Sequence, residues 1–257
     1  MRAKPRESWN PPMAKTFPAP TTSAGDVQAA MREKGFAVLD PAEVAALCKC
    51  TPGQLDALAE SWDRLPPDTY LRDGGRYRRR RHSCFLVDAG GVTQVPHRAH
   101  WQPREYNALH GGMRRWFEPV EPEIVALPAW NGLLRGITGV CSALHPARPW
   151  HVEAHQFRID TSDGIGRPTP EGAHRDGVDY VAVIMVEREA IKGGETRVFQ
   201  ADGPAGQRFT LCQPWSLLLL DDARVIHEST PIQPLSGHGH RDTLVLTWRA
   251  GAFLGDD

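Results

Sequence analysis

Apolar positions keep a helical spacing through the first part of the chain and a strand-like spacing after it. Val27, Ala30 and Met31 recur at three- and four-residue intervals behind Asp26 and stop at Gly35, which predicts a short helix capped by Asp26. Phe36–Leu39 then reads as a short strand. Further helices are expected to open at Pro41, carrying Val44, Leu47 and Cys48, and at Pro52, carrying Leu55, Leu58 and Trp62. Pro66–Pro67 should end the second of these. Between Glu123 and Leu144 the stripe Ile124, Leu127, Leu134, Ile137, Cys141 and Leu144 predicts a longer helix. Pro128 and several glycines should kink or break it.

From Trp150 onward, short apolar runs alternate with Gly, Pro and Asp turns. Strands are predicted at 151–159, 178–187, 195–200, 208–212, 215–220, 224–228 and 242–248. So many strands in so short a span indicate a mainly β fold: an antiparallel jelly roll, or double-stranded β-helix of the cupin-like kind. The helices come before the strands, so they should buttress one sheet rather than alternate with it. Residues 1–24 hold Pro5, Pro11, Pro12, Pro18 and Pro20 with little periodicity, and read as a flexible N-terminal arm. Residues 25–257 are left as a single domain. One stretch breaks the polar-outside rule: Arg76 to Val87, RYRRRRHSCFLV. A basic run is usually a solvated face. On a strand, alternate arginines face opposite sides, so one set can turn inward and bind a carboxylate through the guanidinium fork. Residues 97–121 read as an irregular connection.

Composition narrows the picture. A chain of 257 residues can bury a sizeable core. Its net charge of −1 gives no electrostatic reason to expect nucleic acid or an anionic membrane as partner. No apolar run approaches the ~20 residues of a membrane span. Arg2, Lys4 and Arg6 are followed by no apolar segment, so no signal peptide is read. The five cysteines are odd in number and scattered, which suits a cytoplasmic location better than a disulfide framework.

The candidate chemistry begins at EGAHRDGVDY, residues 171–180. His174 and Asp176 are separated by one residue and share a face if the segment is extended. They would be two-thirds of a 2-His-1-carboxylate set, although Gly172, Gly177 and Asp179 equally suit a plain surface turn. His227, in DDARVIHEST, is the candidate for the distant third ligand. His238 and His240 compete with it from a Gly-rich loop. Arg241 and Thr243 form R-x-T at the start of RDTLVLTWR and should face the same way. A guanidinium beside a hydroxyl is a receptor for the far carboxylate of a dicarboxylic cosubstrate. A competing pattern, His151 to His155 in HVEAH, has the His spacing of a helical zinc site. The QFRI that follows reads as strand and no third ligand is apparent, so a zinc hydrolase is the weaker reading.

In this order, H-x-D, a distal His and R-x-T resemble the Fe(II)/2-oxoglutarate-dependent dioxygenases. More closely, PTPEGAHRDGVDYVAVIMVERE, GGETRVF, LLLDDARVIHESTPI and HRDTLVLTW resemble the bacterial free-L-amino-acid hydroxylases, a group that includes L-isoleucine dioxygenase. The resemblance is strongest over 150–249. It thins upstream through HQFRI, the arginine-rich strand and YNALHGGMRRWF, and leaves out the arm. It implies Fe(II) held by His174, Asp176 and His227. It implies 2-oxoglutarate held by Arg241 and Thr243, with Thr196 touching the cosubstrate or shaping its pocket, and O2 as the other cosubstrate. The expected reaction hydroxylates an unactivated C–H of a free L-amino acid and releases succinate and CO2.

For the substrate, Gln156 and Arg158 share one face of HVEAHQFRID and His155 lies on the other; one of these faces should line the barrel. Arg158, or an arginine from 78–81 such as Arg79 or Arg81, is expected at the substrate carboxylate, and Asp179 or Tyr180 at its amino group. The alternatives are the same iron chemistry ending in cyclisation or desaturation, action on a protein side chain, and a non-catalytic jelly-roll module binding a small molecule. A homodimer is one expected assembly.

Overall fold

The computed structural model describes residues 16–146 and 149–256. Of the expected N-terminal arm, residues 1–15 lie outside the described residues. Residues 16–24 run along the body: Phe17 accepts the backbone N–H of Thr210, and Thr21 bridges Val38.

The elements are α1 (Val27–Lys34), β1 (Phe36–Leu39), α2 (Pro41–Cys48), α3 (Pro52–Ala59), a 3-10 turn (Glu60–Arg64), β2 (Arg78–Asp88), β3 (Gly91–Gln94), α4 (Pro122–Val125), α5 (Pro128–Leu144), β4 (Trp150–Asp160), β5 (Tyr180–Glu189), β6 (Ile191–Gly193), β7 (Thr196–Gln200), β8 (Gly206–Phe209), β9 (Leu217–Asp221), β10 (Val225–Ser229), β11 (Ile232–Pro234) and β12 (His240–Ala250). Local chemistry explains the boundaries. α3 starts on a reciprocal capping box between Thr51 and Gln54, with Pro52 in its first turn. Asp26 sits at the start of α1 but caps nothing; its carboxylate accepts from the Ser23 hydroxyl instead. The predicted helix at 123–144 is split. Pro128 has no N–H with which to continue α4, and it opens α5 in the position where that loss costs nothing. Gly132 and Gly136 let α5 approach the end of α2: a Cβ on either would lie within 2.7 Å of the Cys48 or Leu47 carbonyl oxygen.

The strands form an antiparallel sheet in the order β1-β9-β5-β12-β4-β2-β3, faced by smaller sheets β10-β7-β8 and β11-β6. This is a mainly β jelly-roll core with helices stacked on one side. The large sheet is buried on both faces. Leu217, Leu219, Ile184, Leu246 and Trp248 pack on the helices, while Leu218, Leu220, Val181 and Met185 meet Val198, Phe209 and Val225 of the smaller sheet. Trp62, Trp150 and Trp248 are buried on the helical side, and each indole N–H finds an acceptor: the Phe157 carbonyl, Ser142 and Thr138.

Strand parity decides which residues reach the space between the sheets. Arg241, Thr243, Val245 and Thr247 of β12 point into it, as do Glu153, His155, Phe157 and Ile159 of β4 and Arg78 and Arg80 of β2. Their neighbours Leu244, Leu246, Val152, Ala154, Phe85 and Val87 point to the helices. No helix among the described residues is long and apolar enough to cross a membrane.

Candidate metal centre and cavity

His174 lies in the loop before β5, and His227 lies in β10. The two residues bridge antiparallel, exchanging both backbone hydrogen bonds at 3.0 Å. Their rings stand 4.7 Å apart. Asp176 places Oδ1 at 3.8 Å from His174 Nε2 and Oδ2 at 3.8 Å from His227 Nε2. One donor atom from each residue lies within 4.8 Å of the others. His174 Nδ1 is 2.9 Å from the Gly172 carbonyl oxygen. An N–H donated there leaves the Nε2 lone pair facing Asp176 and His227.

The electrostatics suit a cation. Burial lowers the pKa of His174, but the carboxylates of Asp176 and Glu171 outweigh it and the net shift is upward. His227 is pushed down to about 4 by burial and then by His174. The site therefore attracts one positive charge and resists a second proton, a combination that a metal ion satisfies and two imidazolium groups do not.

The loop is held by Asp222, which is 1 % exposed. Its carboxylate accepts the backbone N–H groups of Asp176, Gly177 and Val178 at 2.8–3.2 Å. Burial, then Asp176, raises Asp222 to about 6. Gly177 has φ +78, and a Cβ there would lie 2.4 Å from the Tyr106 ring, so this turn demands glycine.

A cavity of about 130 Å³ opens beside the triad. On its β12 side, Arg241 is 3 % exposed and its Nε and Nη2 have no partner. Burial and then Arg188 lower it to about 10. Unsatisfied buried N–H groups cost roughly 1–3 kcal/mol each. A carboxylate would relieve that cost, and buried Thr243 lines the same wall.

On the β2 side, Arg78, Arg80 and Arg115 are buried, and each keeps one guanidinium nitrogen without a partner. Asp68 holds Arg78 at 2.7 Å and lies 3.9 Å from Arg80. The Arg80 guanidinium stacks between Phe117 and Phe157. Beside them, His82, His100, Glu153 and His155 form a second buried cluster. Glu153 Oε2 lies 2.8 Å from His82 Nε2 and 2.7 Å from His100 Nδ1. Arg80 Nη2 is 2.7 Å from His155 Nδ1. Arginine can only donate, so His155 Nδ1 accepts and its Nε2 carries the hydrogen towards Glu153. That nitrogen has no lone pair for a metal, and the cluster is a hydrogen-bond network. Burial lowers all three histidines, His100 to about 4. Burial alone would raise Glu153, yet His100 and His82 hold it well below the usual carboxylate range. It stands as an anion among neutral rings.

The cavity thus gathers His174, Asp176, His227, Arg241, Thr243 and His155 of the residues expected from sequence. The others do not line it. Arg158 forks onto Asp242, at 2.6 Å for the shortest contact, and reaches Asp63. Gln156 is fully buried and donates to Ser61. Arg81 is engaged by Glu118 and Glu121, and Arg79 reaches the Leu65 carbonyl. A direct substrate contact from these four is corrected by parity: each lies one residue out of phase with the cavity-facing set. Asp179 accepts the Ala250 N–H, Tyr180 packs on Trp150, and Thr196 is buried in β7, paired with Ser229 and Phe209. His240 belongs to an exposed group with Glu187 and Glu189, and HVEAH is strand, not helix.

Of the arginines offered at 78–81, those singled out, Arg79 and Arg81, are not the ones that line the cavity; Arg78 and Arg80 are. Sequence reading missed Glu153, Gln102, Arg115 and Leu254 as cavity residues, and alternation would have found Glu153 once the inward face was known. Gln102 and Arg115 sit in the irregular connection, and Leu254 follows the last strand, where no periodicity marks them.

The family model for 2OG-Fe dioxygenases matches residues 59–247. A bsmA homolog from Methylobium petroleophilum PM1 is 50% identical, with 92% of this chain and 97% of that one covered and a TM-score of 0.88. IDO from Bacillus thuringiensis is 17% identical, with 90% and 100% covered and a TM-score of 0.73. The Fe(II)/(alpha)ketoglutarate-dependent dioxygenase TqaL is 19% identical, with 91% and 89% covered and a TM-score of 0.71. At those last two identities the likeness is one of fold. No curated protein matches the sequence.

Proposed function

The chain belongs to the 2OG-Fe dioxygenase family, whose reactions use Fe(II), 2-oxoglutarate and O2, and from that premise we propose that it hydroxylates a free L-amino acid. One observation carries the reading. Buried arginines that each keep a guanidinium nitrogen without a partner line the cavity in two separate places, Arg241 on β12 and Arg78, Arg80 and Arg115 on the β2 side. β12 and β2 flank β4, so Arg241 and Arg78 stand two strand spacings apart, about 10 Å. Two anionic groups on two molecules fit that arrangement better than one.

In this reading His174, Asp176 and His227 hold Fe(II), and Arg241 with Thr243 holds the far carboxylate of 2-oxoglutarate. The bound metal and cosubstrate supply the oxidising power, coupling decarboxylation of 2-oxoglutarate to succinate with oxidation of a C–H bond. The protein's own part is placement. Arg80 and Arg115 take the substrate carboxylate. Glu153 receives its hydrogen bonds on Oε2, so Oε1 is left for an ammonium group, and His82 and His100 keep the carboxylate ionised. Val183, Val245 and Leu254 line the cavity with apolar surface that limits water near the reacting carbon. A cavity of about 130 Å³ with charges on its walls suits a small zwitterion better than a polypeptide segment. The catalytic unit is residues 25–257, and the five unpaired cysteines suit a reducing cytoplasm.

The test is a panel of free L-amino acids offered to anaerobically Fe(II)-loaded protein with 2-oxoglutarate, followed by O2. Succinate formation stimulated by one or a few members, with a product heavier by one oxygen, is expected. A product lighter by two hydrogens would redirect the reading to desaturation or cyclisation. No stimulation across the panel would sink the amino-acid assignment.

A further inference from the structure

We infer that Gln102 is a positioning residue that fixes how Asp176 presents its carboxylate to the metal. The inference rests on the reading of His174, Asp176 and His227 as metal ligands.

Gln102 is 7 % exposed, and its Nε2 lies 3.2 Å from Asp176 Oδ1. Which end of an amide faces which neighbour is decided by the hydrogen bonds around it. Here two independent neighbours decide it. Arg115 Nη2, which can only donate, is 3.1 Å from Gln102 Oε1. Asn107 Nδ2 is 3.3 Å from the same oxygen. The orientation of Asn107 is fixed in turn, because its Oδ1 accepts the backbone N–H of His110 at 2.7 Å. His100 Nε2 also lies 3.3 Å from Gln102 Oε1, but with Nδ1 donating to Glu153 it brings no hydrogen there. Arg115, which can only donate, and the Asp176 carboxylate, which can only accept, set the amide with Oε1 towards Arg115 and the NH2 group towards Asp176.

The consequence falls on the carboxylate. With Oδ1 engaged by an amide N–H, Asp176 offers the metal the other oxygen, the one 3.8 Å from His227 Nε2. A carboxylate without that restraint can bind through both oxygens and occupy a coordination position that cosubstrate and O2 need. Gln102 keeps the aspartate to a single oxygen. It is itself anchored by Arg115, which also lines the cavity with an unpartnered Nε–H.

Co(II) titrated anaerobically into the full-length protein, and followed by its visible absorption, tests this without turnover. Gln102→Met keeps the length of the side chain and loses every hydrogen bond. Gln102→Glu keeps an acceptor for Arg115 and Asn107 and replaces the donor to Asp176 with a second, negatively charged oxygen. Gln102→Met is expected to bind Co(II) about ten-fold more weakly, the lower end for loss of a group that orients a ligand. Both variants are expected to alter the Co(II) spectrum. An unchanged spectrum and affinity in either folded variant overturns the inference. His174→Ala separates the two layers. If it binds Co(II) as tightly as the wild type, the ligand assignment fails and the inference falls with it. If it does not bind and the Gln102 variants match the wild type, the inference alone fails.

Discussion

His174 and His227 are joined through their backbones: each donates its N–H to the other's carbonyl at 3.0 Å. The spacing of the two imidazoles is thus set by a main-chain bridge between a loop and β10 rather than by side-chain packing. The loop end of that bridge depends on Asp222, which collects three consecutive N–H groups at 176–178. Asp222→Ala should weaken metal binding about 10- to 100-fold, the range for loss of a group that orients ligands. Asp222→Asn, which keeps one acceptor oxygen, should lose less. Anaerobic metal titration measures both, and wild-type affinity in Asp222→Ala would refute the account.

Arg241 should govern 2-oxoglutarate and nothing else. Its two unpartnered nitrogens can form charge-assisted hydrogen bonds worth roughly 1.5–3 kcal/mol each, so Arg241→Met should raise the 2-oxoglutarate Kd by at least ~10-fold. Arg241→Lys keeps the charge and loses the fork, so it should fall between. Binding read anaerobically by the absorption of the Fe(II)·2-oxoglutarate complex decides it. An unchanged Kd in Arg241→Met would move the cosubstrate elsewhere.

Arg115 and Arg158 should separate cleanly. Arg115→Met and Glu153→Gln are expected to raise the KM for the amino acid ten-fold or more, on the order of a lost charge-assisted bond. Substrate-independent 2-oxoglutarate consumption should persist in Glu153→Gln and fall in Arg115→Met, where Gln102 loses its anchor. Arg158→Ala should leave that KM unchanged and lower stability by about 3 kcal/mol, because Asp242, 1 % exposed, loses its partner. A KM effect in Arg158→Ala as large as in Arg115→Met would reverse the assignment.

That contrast shows where sequence reading stops. The strands after Trp150 were legible because apolar alternation and turn residues punctuate them. The triad and the R-x-T pair were legible because their order along the chain is distinctive. Which face of β4 and β2 turns inward was not. Both faces of β2 begin with arginines, Arg78 and Arg80 against Arg79 and Arg81, and both faces of β4 carry polar groups, Glu153 and His155 against Gln156 and Arg158. Without a hydrophobic bias, period-two alternation defines two faces and names neither. The register supplies the answer: Arg79 pairs with Arg158 and Arg81 with Gln156 on the helical face, while Arg80 pairs with Phe157 and His82 with His155 towards the cavity. Gln102 and Arg115 were out of reach for a different reason. They lie in a connection whose shape is set by contacts such as the His100–Arg115 bridge rather than by any local period.

Asp68 ties the cavity wall to stability. Its side chain is fully buried, and burial alone would raise its pKa, but Arg78 and Arg80 outweigh that and the net shift is downward from 3.8. A carboxyl group with a depressed folded-state pKa contributes stability that is fully present above its unfolded value and is lost as pH falls through the folded value. Asp68→Asn should therefore destabilise the protein at pH 7 by about 3 kcal/mol, the scale for breaking a buried ion pair. The gap to wild type should hold down to about pH 5 and narrow as the pH falls through 3.8 and below, where the wild-type carboxyl protonates too. Urea unfolding across that range measures it. A gap that stays constant with pH would show that Asp68 acts by packing rather than by charge. The same variant should raise the amino-acid KM, because Arg78 and Arg80 lose the anion that holds them against the cavity.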